Sequence, residues 1–353
     1  MIKKTYDILL AGGGVMGCAI ATYLLRANPL LSVGIIEPDP TYEKASTPLS
    51  DGNLRVQFNI RENIEMSLYG LEVLATFGET MAVDGEQPRV EFRLQGNIFF
   101  VDENGRSDAD AGLALQKSLG CEVDWLEPHQ IEQEHPYFCA DRWVGGTFGR
   151  QDGSMSPLDV LLAYKNKAVS LGADFIVERV TAVLTNKQRV TGVRLSAGDT
   201  VTAAVVVNTA GAWATELAKT AAVHLPIQPI KRQVCVVETS IRPDKILPSL
   251  ILPSGLYCFH EGAGHFMVGK SFADDPVTTE DFSYDRTQFE ERIWEELVEY
   301  LPDFDRLKVV DGWGGLYAVN TFDGNALLGE WPDLKGFFLA NGFSGHGFQQ
   351  CLA

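Results

Sequence analysis

Short apolar runs alternate along the chain with stretches of helical periodicity. Residues 7–11 (DILLA) predict a strand, residues 15–26, rich in Ala and Leu, predict a helix, and residues 32–37 predict a second strand. The order predicts a βαβ opening. Residues 68–77 predict a helix and 90–101 alternate toward strand. A helix is predicted over 158–171, then strands at 174–183 and 188–195 around the turn Thr185-Asn186-Lys187. Residues 201–208 form a nearly continuous Val-rich run, the pattern of a parallel strand buried on both faces. Strand patterns cover 231–238 and 257–270. An acidic amphipathic helix is predicted over 287–301, ending before Pro302. No internal repeat or low-complexity linker interrupts the chain, so the domains are expected to interleave.

The 353 residues allow two or three domains, and 45% apolar with 22% charged residues is an ordinary globular composition. Forty-seven acidic against 29 basic side chains give a net charge of −18, which repels nucleic acid and anionic lipid. An anionic substrate would therefore have to be held by local positive groups. Lys3 and Lys4 precede an apolar run that breaks at Gly12, too early for a signal peptide, and no stretch approaches the roughly 20 apolar residues of a membrane span. The six cysteines (18, 121, 139, 235, 258, 351) include no C-x-x-C pair, which suggests reduced thiols in a cytoplasmic protein. The six histidines have no ligand spacing, and no metal is expected.

Gly12-Gly13-Gly14-Val15-Met16-Gly17 fits G-x-G-x-x-G between the first strand and helix. Gly12 permits the tight turn, Gly14 lets the backbone approach a pyrophosphate, and Gly17 lets helix and strand pack closely. Amides at the helix start then face the phosphates. Glu37 ends the next strand, where a carboxylate accepts ribose hydroxyls and repels a 2′-phosphate. NADP is disfavoured, while FAD and NAD both remain open on this pattern.

Two further segments narrow the choice. Val205-Val206-Val207-Asn208-Thr209-Ala210-Gly211-Ala212-Trp213 and Asn341-Gly342-Phe343-Ser344-Gly345-His346-Gly347-Phe348 resemble signature segments of the D-amino acid oxidase superfamily, which includes sarcosine oxidase and glycine oxidase. Residues 41–67, with Ala45-Ser46-Thr47 and Arg61-Glu62-Asn63-Ile64, are most similar to its FAD-dependent oxidoreductase domain-containing members. The resemblance extends over nearly the whole chain. It implies an α/β, two-domain, p-hydroxybenzoate hydroxylase-like fold. A Rossmann-like FAD-binding domain (1–85, 145–225 and 305–353) would interleave with an antiparallel-sheet substrate domain (86–144 and 226–304).

By the same resemblance the cofactor is non-covalent FAD, because Gly314-Gly315-Leu316-Tyr317 lacks the linking cysteine of some members. Its implied contacts begin with Gly12, Gly14, Val15, Met16, Gly17 and Glu37. Ser46, Thr47, Arg55 and Val180 follow, with Gln57 a weaker candidate. Ala210, Gly211 and Trp213 come from the second signature, and Gly342, Phe343, Ser344, Gly345, His346 and Gly347 from the third. Arg55, Tyr257, His260, Lys270 and His346 are the expected substrate-side or flavin-tuning residues. Met267 stands where sarcosine oxidase has its oxygen-activating lysine, and relatives continue from Gly347 into a long helix, of which this sequence holds six further residues. The implied reaction is hydride transfer to flavin N5 from a small carboxylate-bearing amine, such as sarcosine or iminodiacetate, with imine hydrolysis and peroxide formation. Oxygen or another acceptor would take the electrons. A 2-hydroxy acid dehydrogenase serving a quinone or carrier, and a flavin-binding assembly factor with little turnover, are the alternatives.

Overall fold

The computed structural model describes residues 3–353 and contains two large sheets. The first has parallel strands at its centre, in the order Leu327–Glu330, Phe337–Asn341, Thr200–Asn208, Thr5–Ala11, Val33–Glu37 and Asp174–Val177, with only the first of these antiparallel to its neighbour. Val180–Asn186 and Arg189–Leu195 extend from Thr200–Asn208 as antiparallel strands. The Val-rich run is the parallel strand that its composition predicts. Helices Val15–Ala27 and Pro157–Ser170 cover one face, where Leu10, Leu25, Ile35, Leu161 and Tyr164 are fully buried. Each such aliphatic side chain contributes about 1.5–3 kcal/mol of burial energy.

The second sheet runs Lys308–Asn320, Ile227–Glu238, His265–Lys270, Leu256–Gly262, Ser249–Ile251, Asn97–Val101, Gly145–Gly149 and Val123–Leu126. All its pairings are antiparallel except that between Ser249–Ile251 and Asn97–Val101. One face rests on a core built with the helices Arg286–Arg292 and Trp294–Tyr300. The fold is thus the mixed α/β architecture expected. Strands Gly145–Gly149 and Lys308–Asn320 belong to the second sheet, although the expected division assigns both ranges to the cofactor domain.

Several elements differ from the sequence pattern. The helix expected over 68–77 runs Arg61–Ala75; its early inward positions offer only Ile64 as an apolar signal, since Asn63 and Ser67 are buried through hydrogen bonds to Gln350 and Gln349. Within 90–101 only Asn97–Val101 is a strand. The range 257–270 is a hairpin turning at Gly262 and Ala263, both at positive φ. The acidic helix breaks at Ile293, with Phe289, Ile293 and Leu297 buried across the break. Strand Lys308–Asn320 was hidden by its glycines, which tertiary contacts require. A Cβ at Gly312 would overlap the Tyr284 ring, and one at Gly314 would lie 2.8 Å from Ser283 O.

Candidate active site

The nucleotide cradle is built at the end of strand Thr5–Ala11. Gly12 has φ +123°, and a Cβ there would overlap the Thr209 carbonyl, while Thr209 Oγ1 donates to Gly12 O at 2.7 Å. A Cβ at Gly17 would overlap Gly12 O, so Gly17 serves helix–strand packing beneath the cleft. At Gly14 a Cβ would meet nothing within 4 Å. Gly14 is also the N-cap of Val15–Ala27 and supplies no side-chain cap, which leaves first-turn amides without an intrahelical acceptor. Glu37 is tethered by the amides of Gly13 (2.8 Å to Oε2) and Asp39 (3.0 Å to Oε1), and burial raises its pKa.

A cleft of about 480 Å³ opens from this cradle toward the second sheet. Gly12, Gly14, Val15, Met16, Glu37, Ser46, Thr47, Val180, Ala210, Gly211 and Trp213 line it. Gly342, Phe343, Ser344, Gly345 and Gly347 line it as well. Ser344 N donates to Ala318 O and Ser344 Oγ accepts from Asn320 N, both at 3.0 Å, so this loop is fixed to the second sheet. Positive φ at Gly342, Ser344 and Gly345 bends it around the Tyr317 ring, which a Cβ at Gly345 would meet at 2.6 Å.

Strand alternation sorts the substrate-side candidates. The registers Tyr257↔Gly269, Phe259↔Met267, Val234↔Gly269 and Ile230↔Tyr317 place Tyr257, Met267, Arg232 and Tyr317 on one face of the second sheet. His260 and Lys270 lie on the other, where Leu256, Cys258 and Val268 enter the core. His260 is a core residue: its Nδ1 accepts from Leu247 N at 3.0 Å, its Nε2 faces Ala263 O at 3.3 Å, and its ring stacks on Phe266. Lys270 is ion-paired with Glu296. Both are turned to the core, away from the face that carries Tyr257 and Tyr317, so the expectation that they reach substrate is corrected; Tyr257 itself does not line the cleft. Tyr257 stacks on Phe259 at 5.1 Å, and burial and the charge of Asp51 both raise its pKa, as they do for Tyr317.

Arg55 and His346 stand together just behind the cleft. Arg55 Nη2 lies 3.0 Å from His346 Nε2, and its guanidinium stacks 4.7 Å from the Phe58 ring centroid and 5.7 Å from that of Phe99. Its Nε is buried without a partner, and among the described residues Arg55 forms no ion pair. Burial and the Arg55 charge push the His346 pKa down to about 3. Gln57 does not line the cleft; its Nε2 donates to Asp152 Oδ2 at 2.8 Å and to Asn97 O at 3.0 Å. Asp152, fully buried, also accepts from Val56 N at 2.8 Å, and burial raises its pKa to about 7. Sequence reading missed Asp51, Asp152 and Tyr317. Asp51 and Asp152 were accessible as carboxylates beside glycines, and Tyr317 through the segment already quoted.

A βαβ cradle with an uncapped helix start, an open Gly14 and a tethered carboxylate at the end of the second strand, facing an antiparallel sheet across a cleft, is the arrangement of a dinucleotide-binding flavoprotein fold. These residues fit FAD: Gly12, Gly14 and Glu37 could hold the adenosine diphosphate end, and the loop Gly342–Gly347 could approach the ring. The chain belongs to the DAO family of FAD-dependent oxidoreductases, whose model matches residues 7–353. It is 32% identical over 383 residues to FAD-dependent oxidoreductase domain-containing protein 1 of Xenopus laevis, covering 98% of this chain and 77% of that one. The L-proline dehydrogenase structure from P. horikoshii is similar with a TM-score of 0.88 at 23% identity, covering 99% of this chain and 91% of that one. The iminodiacetate oxidase structure from Chelativorans sp. BNC1 is similar at 0.79 and 17% identity, covering 98% and 92%. Among the described residues, no helix is long and apolar enough to cross a membrane.

Proposed function

We propose that the chain holds FAD non-covalently in this cleft and oxidises a small amine that carries a carboxylate. FAD bound there supplies a two-electron acceptor for the hydride leaving the carbon beside nitrogen. Arg55 carries the reading: a buried guanidinium with one neutral hydrogen-bond partner, an unpartnered Nε and no ion pair is a site for an anion. His346 positions it. Tyr257 and Tyr317 offer hydroxyls from the facing sheet, and the second sheet keeps water from the reacting carbon. The fold is shared with proteins named L-proline dehydrogenase and iminodiacetate oxidase, both of which act on secondary amines bearing carboxylates. No cysteine is among the residues lining the cleft, which supports a non-covalent cofactor.

The test is an anaerobic screen of N-substituted glycines, amino acids and 2-hydroxy acids, following loss of the flavin absorbance. Bleaching by the amines with release of the shortened amine or ammonia supports the proposal. Bleaching by hydroxy acids alone assigns the site to alcohol oxidation, and no bleaching by any of them leaves a binding protein. Peroxide yield in air then separates oxygen from other acceptors.

A further inference from the structure

We propose that Asp51 is the counter-charge for the substrate nitrogen, so that the cleft recognises a zwitterion, its carboxylate toward Arg55 and its cationic nitrogen toward Asp51. The inference rests on the amine reading above. Asp51 lines the cleft. Its Oδ1 accepts from Asn53 N at 3.1 Å, a turn contact that an asparagine would make equally well. Nothing in that turn requires a charge.

The surrounding charges leave a specific pair uncommitted. Arg232 is paired with Asp275, Arg93 with Glu261 at 2.8 Å, and Lys270 with Glu296. Asp152 is satisfied by Val56 N and Gln57. Arg55 and Asp51 are likewise without an ion pair among the described residues, and each acts on the other's titration, Asp152 acting more strongly on Arg55; of the other unpaired cations that line the cleft, Lys44 and Arg179, the second acts on Glu37 at the cradle. The Asp51 charge raises the pKa of both Tyr257 and Tyr317, and Tyr317 lines the same cleft as Asp51. Burial raises its pKa, so a carboxylate held there is short of solvation, and a cation restores what water does not supply. A zwitterionic amino acid satisfies both charges at once, and a simple carboxylic acid satisfies only one.

The experiment compares two inert acids of the same shape, trimethylglycine and 3,3-dimethylbutanoate, which differ only in a quaternary nitrogen against carbon. Binding to the FAD-loaded protein is measured by calorimetry and by perturbation of the flavin spectrum. The wild type is expected to bind trimethylglycine at least about tenfold more tightly. Asp51→Asn, which keeps the turn acceptor, is expected to lose that preference by weakening trimethylglycine about tenfold while 3,3-dimethylbutanoate binds equally or more tightly. Equal affinities in the wild type, absence of binding by both, or a variant that weakens both acids alike would overturn the proposal. The wild-type comparison decides even if the variant does not fold. Bleaching by an amine of the screen in the same preparation tests the amine reading separately: where an amine bleaches the flavin and the two acids bind equally, the Asp51 proposal alone falls.

Discussion

Arg55 donates from Nη2 to Nε2 of His346 across 3.0 Å, and that one bond fixes the imidazole. Arginine has no acceptor, so Nε2 must be the lone-pair nitrogen and the ring proton sits on Nδ1. The ring is held edge-on against Phe58 at 5.2 Å between centroids. Protonating Nε2 would break the bond and set two cations together. His346 is therefore expected to stay neutral, in the Nδ1–H form, from about pH 5 to about pH 9. Multiple-bond ¹⁵N correlation spectra of the imidazole check this. In Arg55→Gln the midpoint should rise, since one lowering influence is gone, yet remain below the ordinary histidine value because burial persists. A wild-type midpoint near 6.5 would contradict the assignment.

Arg55→Ala should lower kcat/KM for a carboxylate-bearing amine by about 30-fold or more, since truncating a buried charged partner costs about 2–5 kcal/mol. Arg55→Lys should recover little, because an ammonium cannot both hold His346 and present a second planar donor pair. The loss should be much smaller for the corresponding amide substrate. Steady-state kinetics on the two enzymes and two substrates test this, and equal losses on acid and amide would assign Arg55 to the fold or the cofactor.

Gly12 and Gly14, two residues apart, should fail in different ways. Gly12→Ala forces a Cβ into the Thr209 carbonyl at a φ of +123° and should reduce folded yield. Gly14→Leu meets open space and should fold, then emerge colourless because its side chain occupies the cleft. Circular dichroism with flavin content distinguishes the two. A yellow Gly14→Leu protein would refute the placement of the pyrophosphate. Acid precipitation of the wild type should release all flavin to the supernatant.

Asp152 and His346 carry opposite proton linkages. Asp152, raised to about 7 from 3.8, binds its proton in the folded chain over a range where the unfolded chain has lost it, so acidification favours folding there. His346, lowered to about 3 from 6.5, is neutral when folded and charged when unfolded, so acidification opposes folding. Their windows overlap from about pH 4 to 6.5 and the two slopes offset. Asp152→Asn removes one of them. Relative to wild type, its stability should fall by about 1.4 kcal/mol per unit as pH drops through that window, measured by urea midpoints. Parallel pH profiles would show that Asp152 does not titrate there.

The cradle was legible in the sequence because its signal is local: Gly12, Gly14 and Gly17 sit beside one strand and helix, and Glu37 ends the next strand. The substrate side was only partly so. Tyr257 was correctly given to a strand, yet His260 is three positions away and therefore on the opposite face, and Lys270 is registered against Leu256 on that same far face. The strand pattern over 257–270 does not show where the chain turns, and the hairpin register exists only once the turn at Gly262 and Ala263 is known. Asp152 reaches Arg55 through the neighbouring Val56 amide, 96 residues away in sequence, and no periodicity records such a contact.

The walls of the cleft are drawn from Gly12 at one end of the chain and Phe348 at the other. A fragment that lacks either segment therefore has no complete pocket. Colour is then a measure of long-range assembly: a preparation's ratio of 450 nm to 280 nm absorbance counts the molecules in which these distant segments have met.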